Sequence, residues 1–191
     1  MKIFIYIILL VLSDMLPGSS LIEKKIPAAR IKMVDGEYAK LADFHSEGPM
    51  IINFWTTWWT YCERQLGYLD QLNTQFKNMG LEVLAVNQNK PNIINQVRPY
   101  IKKRKYKFNV CVDPASKLAK RFKVLGFPTF FLVSKDGTIL YKNSGYKEGD
   151  EEKYLKELLK YLDGENIKYD DFEYSKTITD NINNSDVKID F

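Results

Sequence analysis

The chain has 191 residues, 45% of them hydrophobic and 14% aromatic, enough for one domain with a sizeable core and short additions. Its formal net charge of +4 is too mild to argue for nucleic acid as a partner. The two cysteines, Cys62 and Cys111, the one histidine, His45, and the carboxylates form no set with metal-ligand spacing. There is no Gly-rich phosphate loop, and neither a metal nor a cofactor is expected.

In chain order, Lys2 is followed by ten apolar residues, Ile3 to Leu12, and then by the small-residue stretch Gly18-Ser19-Ser20. An apolar run of that length is about half of a spanning helix. A basic start, an apolar run and a small-residue exit form the layout of a secretory signal over residues 1–20. Export is therefore expected, to a bacterial periplasm or the extracytoplasmic face of a membrane. An uncleaved anchor is the alternative, and membrane contact is expected only in that case. In an exported chain Cys62 and Cys111 can pair; two unpaired, buried thiols is the other reading.

Arg30 to Val34 alternates weakly, and Asp35-Gly36 is a hairpin turn signal before a return strand over Glu37 to Leu41. Met50 to Trp55 is an apolar run suited to a strand buried on both faces. From Thr60 to Met79, Leu66, Leu69, Leu72 and Phe76 recur at helical spacing, and Gly80 ends the helix. Leu81 to Val86 reads as a second buried strand. Pro91 opens a helix to about Tyr100, with Pro99 as an interruption. Val110 to Val112 is a short strand, and Asp113-Pro114 starts a helix through Phe122. Strands over Pro128 to Val133 and Ile139 to Lys142 flank the turn Lys135-Asp136-Gly137-Thr138. Glu151 to Leu162 is an amphipathic final helix. Strands alternating with helices imply an α/β fold, and the closing hairpin makes its sheet mixed.

Charge is unevenly spread. Residues 164–191 carry seven acids against three lysines, and this acidic, polar tail is expected to be loosely held. Arg98, Lys102, Lys103, Arg104, Lys105 and Lys107 form a basic run. It reads either as a solvated helix face or as a docking patch for an acidic partner.

The stretch Asn53-Phe54-Trp55-Thr56-Thr57-Trp58-Trp59-Thr60-Tyr61-Cys62 resembles the active-site segment of thioredoxin-type oxidoreductases with its first cysteine replaced. Three further matches accompany it: the hairpin ending in Leu41-Ala42-Asp43-Phe44, the inserted helix and strand ending in Val112-Asp113-Pro114, and Val124-Leu125-Gly126-Phe127-Pro128-Thr129-Phe130-Phe131. Over residues 28–163 the chain is similar to exported thioredoxin-like proteins of the TlpA type, which include reductases serving cytochrome c maturation. The resemblance implies a thioredoxin-like fold: a central mixed sheet flanked by helices, with an N-terminal hairpin and an inserted helix-strand. It also implies that Pro128 is cis and faces the active-site segment. Cys62 stands where the family has its second cysteine, and Trp59 where it has the nucleophile.

The usual dithiol exchange begins with attack by the first thiolate, so the motif Trp59-Thr60-Tyr61-Cys62 is expected not to perform it. Two readings stand. In one, the chain is a non-catalytic module that binds a protein or peptide at an aromatic rim made of Trp58, Trp59, Tyr61 and Phe127, with Thr129 beside it. Within that reading Trp59 either faces outward or folds inward and plugs the old site. In the other, Cys62 acts as a single reactive thiol in mixed-disulfide or peroxide chemistry. The peroxidase pattern Thr-x-x-Cys fails here, because Trp59 lies three residues before Cys62 and Thr60 only two. His45 reads as a surface residue.

Overall fold

In the computed structural model, residues 21–45 and 47–170 are described. The segment expected to direct export and the tail beyond Asp170 lie outside the described residues. The strands are β1 (Arg30–Met33), β2 (Tyr38–Lys40), β3 (Met50–Trp55), β4 (Glu82–Asn87), β5 (Asn109–Val112), β6 (Thr129–Val133) and β7 (Ile139–Ser144). They form one sheet in the order β2-β1-β5-β4-β3-β6-β7. The helices are α1 (Thr60–Phe76), α2 (Val97–Arg104), α3 (Lys117–Arg121) and α4 (Asp150–Gly164).

All six residues of β3 are buried, as the apolar run requires. β3 pairs parallel with β4 and antiparallel with β6. The sheet is therefore mixed, and the fold class is the one the sequence implies. Side chains alternate across a strand, so β3 feeds two cores. Ile51 and Trp55 join α1, α2 and α4 on one face, while Ile52 and Phe54 join α3 and the N-terminal hairpin on the other.

Local chemistry sets the boundaries. Gly36 takes φ +106° in the first hairpin, where an L side chain would be strained. Gly80 closes the helical segment at φ +82° and lies so near Gly48 that a Cβ there would stand 2.5 Å from the Gly80 carbonyl oxygen. Pro99 does not interrupt its helix. Pro91–Gln96 forms a 3-10 segment, α2 begins at Val97, and Pro99 falls in the first turn, where its missing N–H costs nothing. The helix expected from Asp113 begins later, at Lys117. The Asp113 carboxylate accepts the Lys117 and Ala119 backbone N–H groups at 2.8 and 3.0 Å and so caps it from outside.

The chain stays attached after α4. The Ile167 N–H bonds the Leu162 carbonyl at 2.9 Å, and the Tyr169 ring lies 6.4 Å from Phe76. Ile167 and Tyr169 both pack on the core, so the first residues of the acidic segment belong to the domain. His45 is half-buried rather than a free surface residue: its Nδ1 lies 2.8 Å from the Lys135 carbonyl, and its ring covers Gly137.

Candidate functional site

At its C-terminal end β3 runs into Thr56 and Thr57, and this loop is pinned. Thr57 N–H donates to Asn89 Oδ1 at 3.0 Å, and Asn89 Nδ2 donates to Thr57 Oγ1 at 2.8 Å. Asn89 is itself held, because its N–H bonds Asn87 Oδ1 at 2.9 Å. The residues that follow have little freedom to vary their exit angle. Trp59 becomes the N-cap of α1, with φ −106° and ψ 113°, and its side chain makes no capping bond. Its carbonyl accepts the Cys62 N–H at 2.9 Å.

Trp59 does not plug the site. It is 43% exposed, Trp58 is 63% and Tyr61 is 45%. The rings form a chain: Trp58 to Trp59 at 5.7 Å, Trp59 to Tyr61 at 5.9 Å, and Tyr61 to Tyr146 at 6.1 Å. Such tilted and edge-on contacts suit the ring quadrupoles. Trp59, Thr60, Tyr61 and Arg64 line a shallow cleft of about 340 Å³. Tyr146 is absent from the sequence reading, because it lies 85 positions from Tyr61 and only the β6–β7 hairpin returns it. The Gly145 N–H bonds the Pro128 carbonyl at 2.8 Å, and the Tyr146 hydroxyl donates to Glu151.

The Phe127–Pro128 peptide bond is cis. Register places Thr129 opposite Phe54, so the loop before β6 lies at the same sheet end as the aromatic rim. Phe127 is half-buried and packs on both cores. Leu125, in the same loop, is 98% exposed and adds an apolar residue that the sequence reading passed over. Thr129 is corrected as a ligand-facing residue. Its side chain is buried, and Oγ1 donates to the Gly126 carbonyl at 2.7 Å, so it shapes the loop instead.

Cys62 lies in the first turn of α1 and is wholly buried. Burial pushes its thiol up to about 11, against opposing hydrogen bonds from Thr56. Cys111 is also buried and its thiol is likewise raised, first by burial and then by nearby Asp113. Both cysteines are free. They cannot pair in this fold, since Cys62 faces the α1 side of the sheet and Cys111 the α3 side.

The raised thiol makes stability depend on pH. An unfolded cysteine ionises near pH ~8.5, and the folded Cys62 only near 11. Its contribution is full below pH ~8.5 and is lost as pH rises toward the folded value, because the unfolded state releases its proton first. Between pH ~9 and ~10 the loss is on the order of 1 kcal/mol. Cys62→Ala should therefore flatten the fall of the thermal midpoint over that interval, as followed by circular dichroism. An unchanged slope would mean that the thiol is not shielded.

The rim is tied to the insertion between β4 and β5. Arg104 Nε donates to Glu63 Oε1 at 2.8 Å. The same guanidinium lies 3.7 Å from the Tyr100 ring centroid, and Tyr100 packs 5.3 Å from Trp55.

A thioredoxin-type sheet, a helix opening at the end of β3 and a cis-proline loop beside it together define a thioredoxin-fold protein of the thiol–disulfide class. The chain belongs to the AhpC/TSA family, whose model matches residues 22–142. It is 30% identical over 138 residues to the thiol-disulfide oxidoreductase ResA of Bacillus thuringiensis subsp. konkukian, covering 72% of this chain and 78% of that protein. Among solved structures it is similar to a Chlorobium tepidum protein described as the thiol:disulfide interchange protein DsbE. That match has 25% identity and a TM-score of 0.67, covering 72% of this chain and 95% of the other. StoA from Bacillus subtilis shares the fold, with a TM-score of 0.56 at 22% identity, covering 69% of this chain and 96% of that one. The chain is thus a ResA- and DsbE-like member of a thiol–disulfide oxidoreductase family.

Proposed function

We propose that this chain is a non-catalytic member of its family that binds a protein or peptide partner at the aromatic rim. One observation carries the reading: the N-cap of α1, where a nucleophilic thiol would meet solvent, holds an exposed Trp59. A thiolate there would be favoured by the helix N-terminus. Cys62 has neither the exposure nor the ionisation for that role: it is fully buried, with its thiol raised to about 11. The same facts weigh against single-thiol or peroxide chemistry at Cys62. In place of a dithiol the site offers Trp58, Trp59, Tyr61 and Tyr146, together with the loop at Phe127 and Pro128. Exposed, contiguous aromatics of this kind mark interaction surfaces. The N-terminal sequence supports export, so the partner would be an exported or membrane-facing polypeptide.

Thiol accessibility tests the non-catalytic half. Cys62 in the folded chain should react with iodoacetamide no faster than Cys111, and both should label only when denaturant unfolds the protein. Rapid, selective alkylation of Cys62 under native conditions would favour the single-thiol enzyme. Tryptophan emission tests the binding half. Trp58 and Trp59 are exposed and Trp55 is buried, so an extended peptide on the rim should shift the emission to the blue. Trp58→Ala with Trp59→Ala should abolish that shift.

A further inference from the structure

The segment between β4 and β5 is unusual in charge. Residues 83–112 contain seven cations and no acid. The amphipathic α2 explains one of the seven. Its inner stripe is Val97, Tyr100, Ile101 and Arg104: Val97 is buried, Tyr100 and Ile101 pack on the core, and Arg104 is spent on Glu63. Its outer stripe, Arg98, Lys102 and Lys105, follows i, i+4, i+7 spacing and is exposed, as is Lys103. Among the described residues none of these four is in an ion pair with an acid; the ion pairs there join Lys25 to Asp136, Arg104 to Glu63 and Lys153 to Asp150.

Two of these cations, Lys102 and Lys103, complement the C-terminal dipole of α2. Arg98 lies in the first turns, where the dipole disfavours a cation. Lys105 sits at the C-cap in a left-handed conformation, φ +57°, which suits glycine better. A like-charged cluster that repels itself gains if an anion covers it.

Helix α2 is also tied to the helix that carries the rim. Glu63 stands two residues after Tyr61, and Arg104 stands between Lys103 and Lys105. Their ion pair therefore joins the first turn of α1 to the last turn of α2. We infer that the aromatic rim and the outer face of α2 are one docking surface, and that its partner is an acidic polypeptide segment. Apolar side chains of that segment lie on Trp58, Trp59 and Tyr61, and its carboxylates on Arg98, Lys102, Lys103 and Lys105. This rests on the proposed rim reading and adds the chemical class of the partner.

The test uses the full chain, folded, and a fluorescein-labelled glutamate-rich peptide with leucine and tyrosine interspersed. Its counterpart carries glutamine in place of every glutamate. Fluorescence anisotropy should show the acidic peptide binding at least ~10-fold more tightly than the glutamine peptide at low salt. Raising NaCl from about 50 to about 200 mM should weaken it several-fold, because that brings the screening length well under about 10 Å. The combined change Lys102→Glu, Lys103→Glu and Lys105→Glu should remove most of the preference, with the circular dichroism spectrum unchanged. The single change Arg98→Gln serves as a milder variant should the triple one misfold.

Equal affinity for the two peptides, or a preference that survives charge reversal, overturns the inference. If Trp58→Ala and Trp59→Ala abolish binding while charge reversal does not matter, the rim reading stands and only the acidic partner is lost. If neither set of changes affects binding, both fail. Failure to bind the acidic peptide, together with recruitment to phosphatidylglycerol over phosphatidylcholine vesicles that charge reversal removes, would overturn it in favour of a lipid surface.

Discussion

Trp59→Cys is expected to turn this chain into a disulfide reductase. The unmodified protein should not reduce insulin with a dithiol donor, because Trp59 occupies the N-cap of α1 and Cys62 is buried. A cysteine at position 59 would lie one turn from Cys62. Side chains three residues apart on a helix have Cβ atoms within about 5–6 Å, a separation that modest adjustment closes to a disulfide. The helix N-terminus would lower the pKa of the new thiol and supply the attacking thiolate, and Cys62 would resolve the mixed disulfide. Because loss of a nucleophile costs orders of magnitude in turnover, a gain of at least ~100-fold over the parent is expected. Insulin turbidity measures the rate, and mass spectrometry after mild oxidation reports whether residues 59 and 62 are bridged. Absence of that bridge would mean that Trp59 is not at the nucleophile position. Thioredoxin-like turnover by the unmodified chain would overturn the non-catalytic reading.

Phe130→Ala is expected to be the most damaging single change to stability outside the site. Phe130 is fully buried in β6, directly opposite Asn53 of β3. It stacks on Tyr154 of α4 with ring centroids 4.1 Å apart and planes within 7°. The Tyr154 hydroxyl accepts from Gln65 Nε2 at 2.9 Å and Asn143 Nδ2 at 2.8 Å, so α1, α4 and β7 meet there. Removing the ring leaves a cavity at this junction and costs about 3–5 kcal/mol. For a chain of this size that lowers the thermal midpoint by roughly 10 °C. Trp58→Ala is the control: its ring is mostly solvated, and the change should cost within about 0.5 kcal/mol. A Phe130→Ala midpoint within a few degrees of the parent would show that the core closes over the gap.

Much of this could be read along the chain. The six-residue apolar run of β3, the helical spacing of Leu66, Leu69, Leu72 and Phe76, and the Asp35-Gly36 turn are local signals of period and backbone freedom, and the structure follows them to within a few residues. The pattern from Asn53 to Cys62, with Phe127-Pro128-Thr129 further on, is enough to name the fold and to single out Trp59 and Cys62. Those features depend on neighbours within a turn or a strand, where side-chain periodicity and turn chemistry act directly.

What a residue meets across the fold is decided by topology. Whether Trp59 faced inward was open in the sequence, and the packing of the α1 side, already filled by Trp55, Cys62 and Leu66, leaves it on the surface. Cys62 and Cys111 differ by 49 positions, and the sheet lies between them because α1 packs on the face that Val110 joins while Cys111, the next residue of β5, faces the other way. Tyr146 reaches the rim because β7 returns beside β6, and Asn89 holds Thr57 because β4 ends beside β3. Thr129 turned inward because the loop before it needed a donor for the Gly126 carbonyl. The sequence by itself determined most of the elements and their order, and it set Trp59 three residues before Cys62. Only the tertiary structure decided which groups share the site, because contacts between distant segments follow from how the two faces of one sheet are covered.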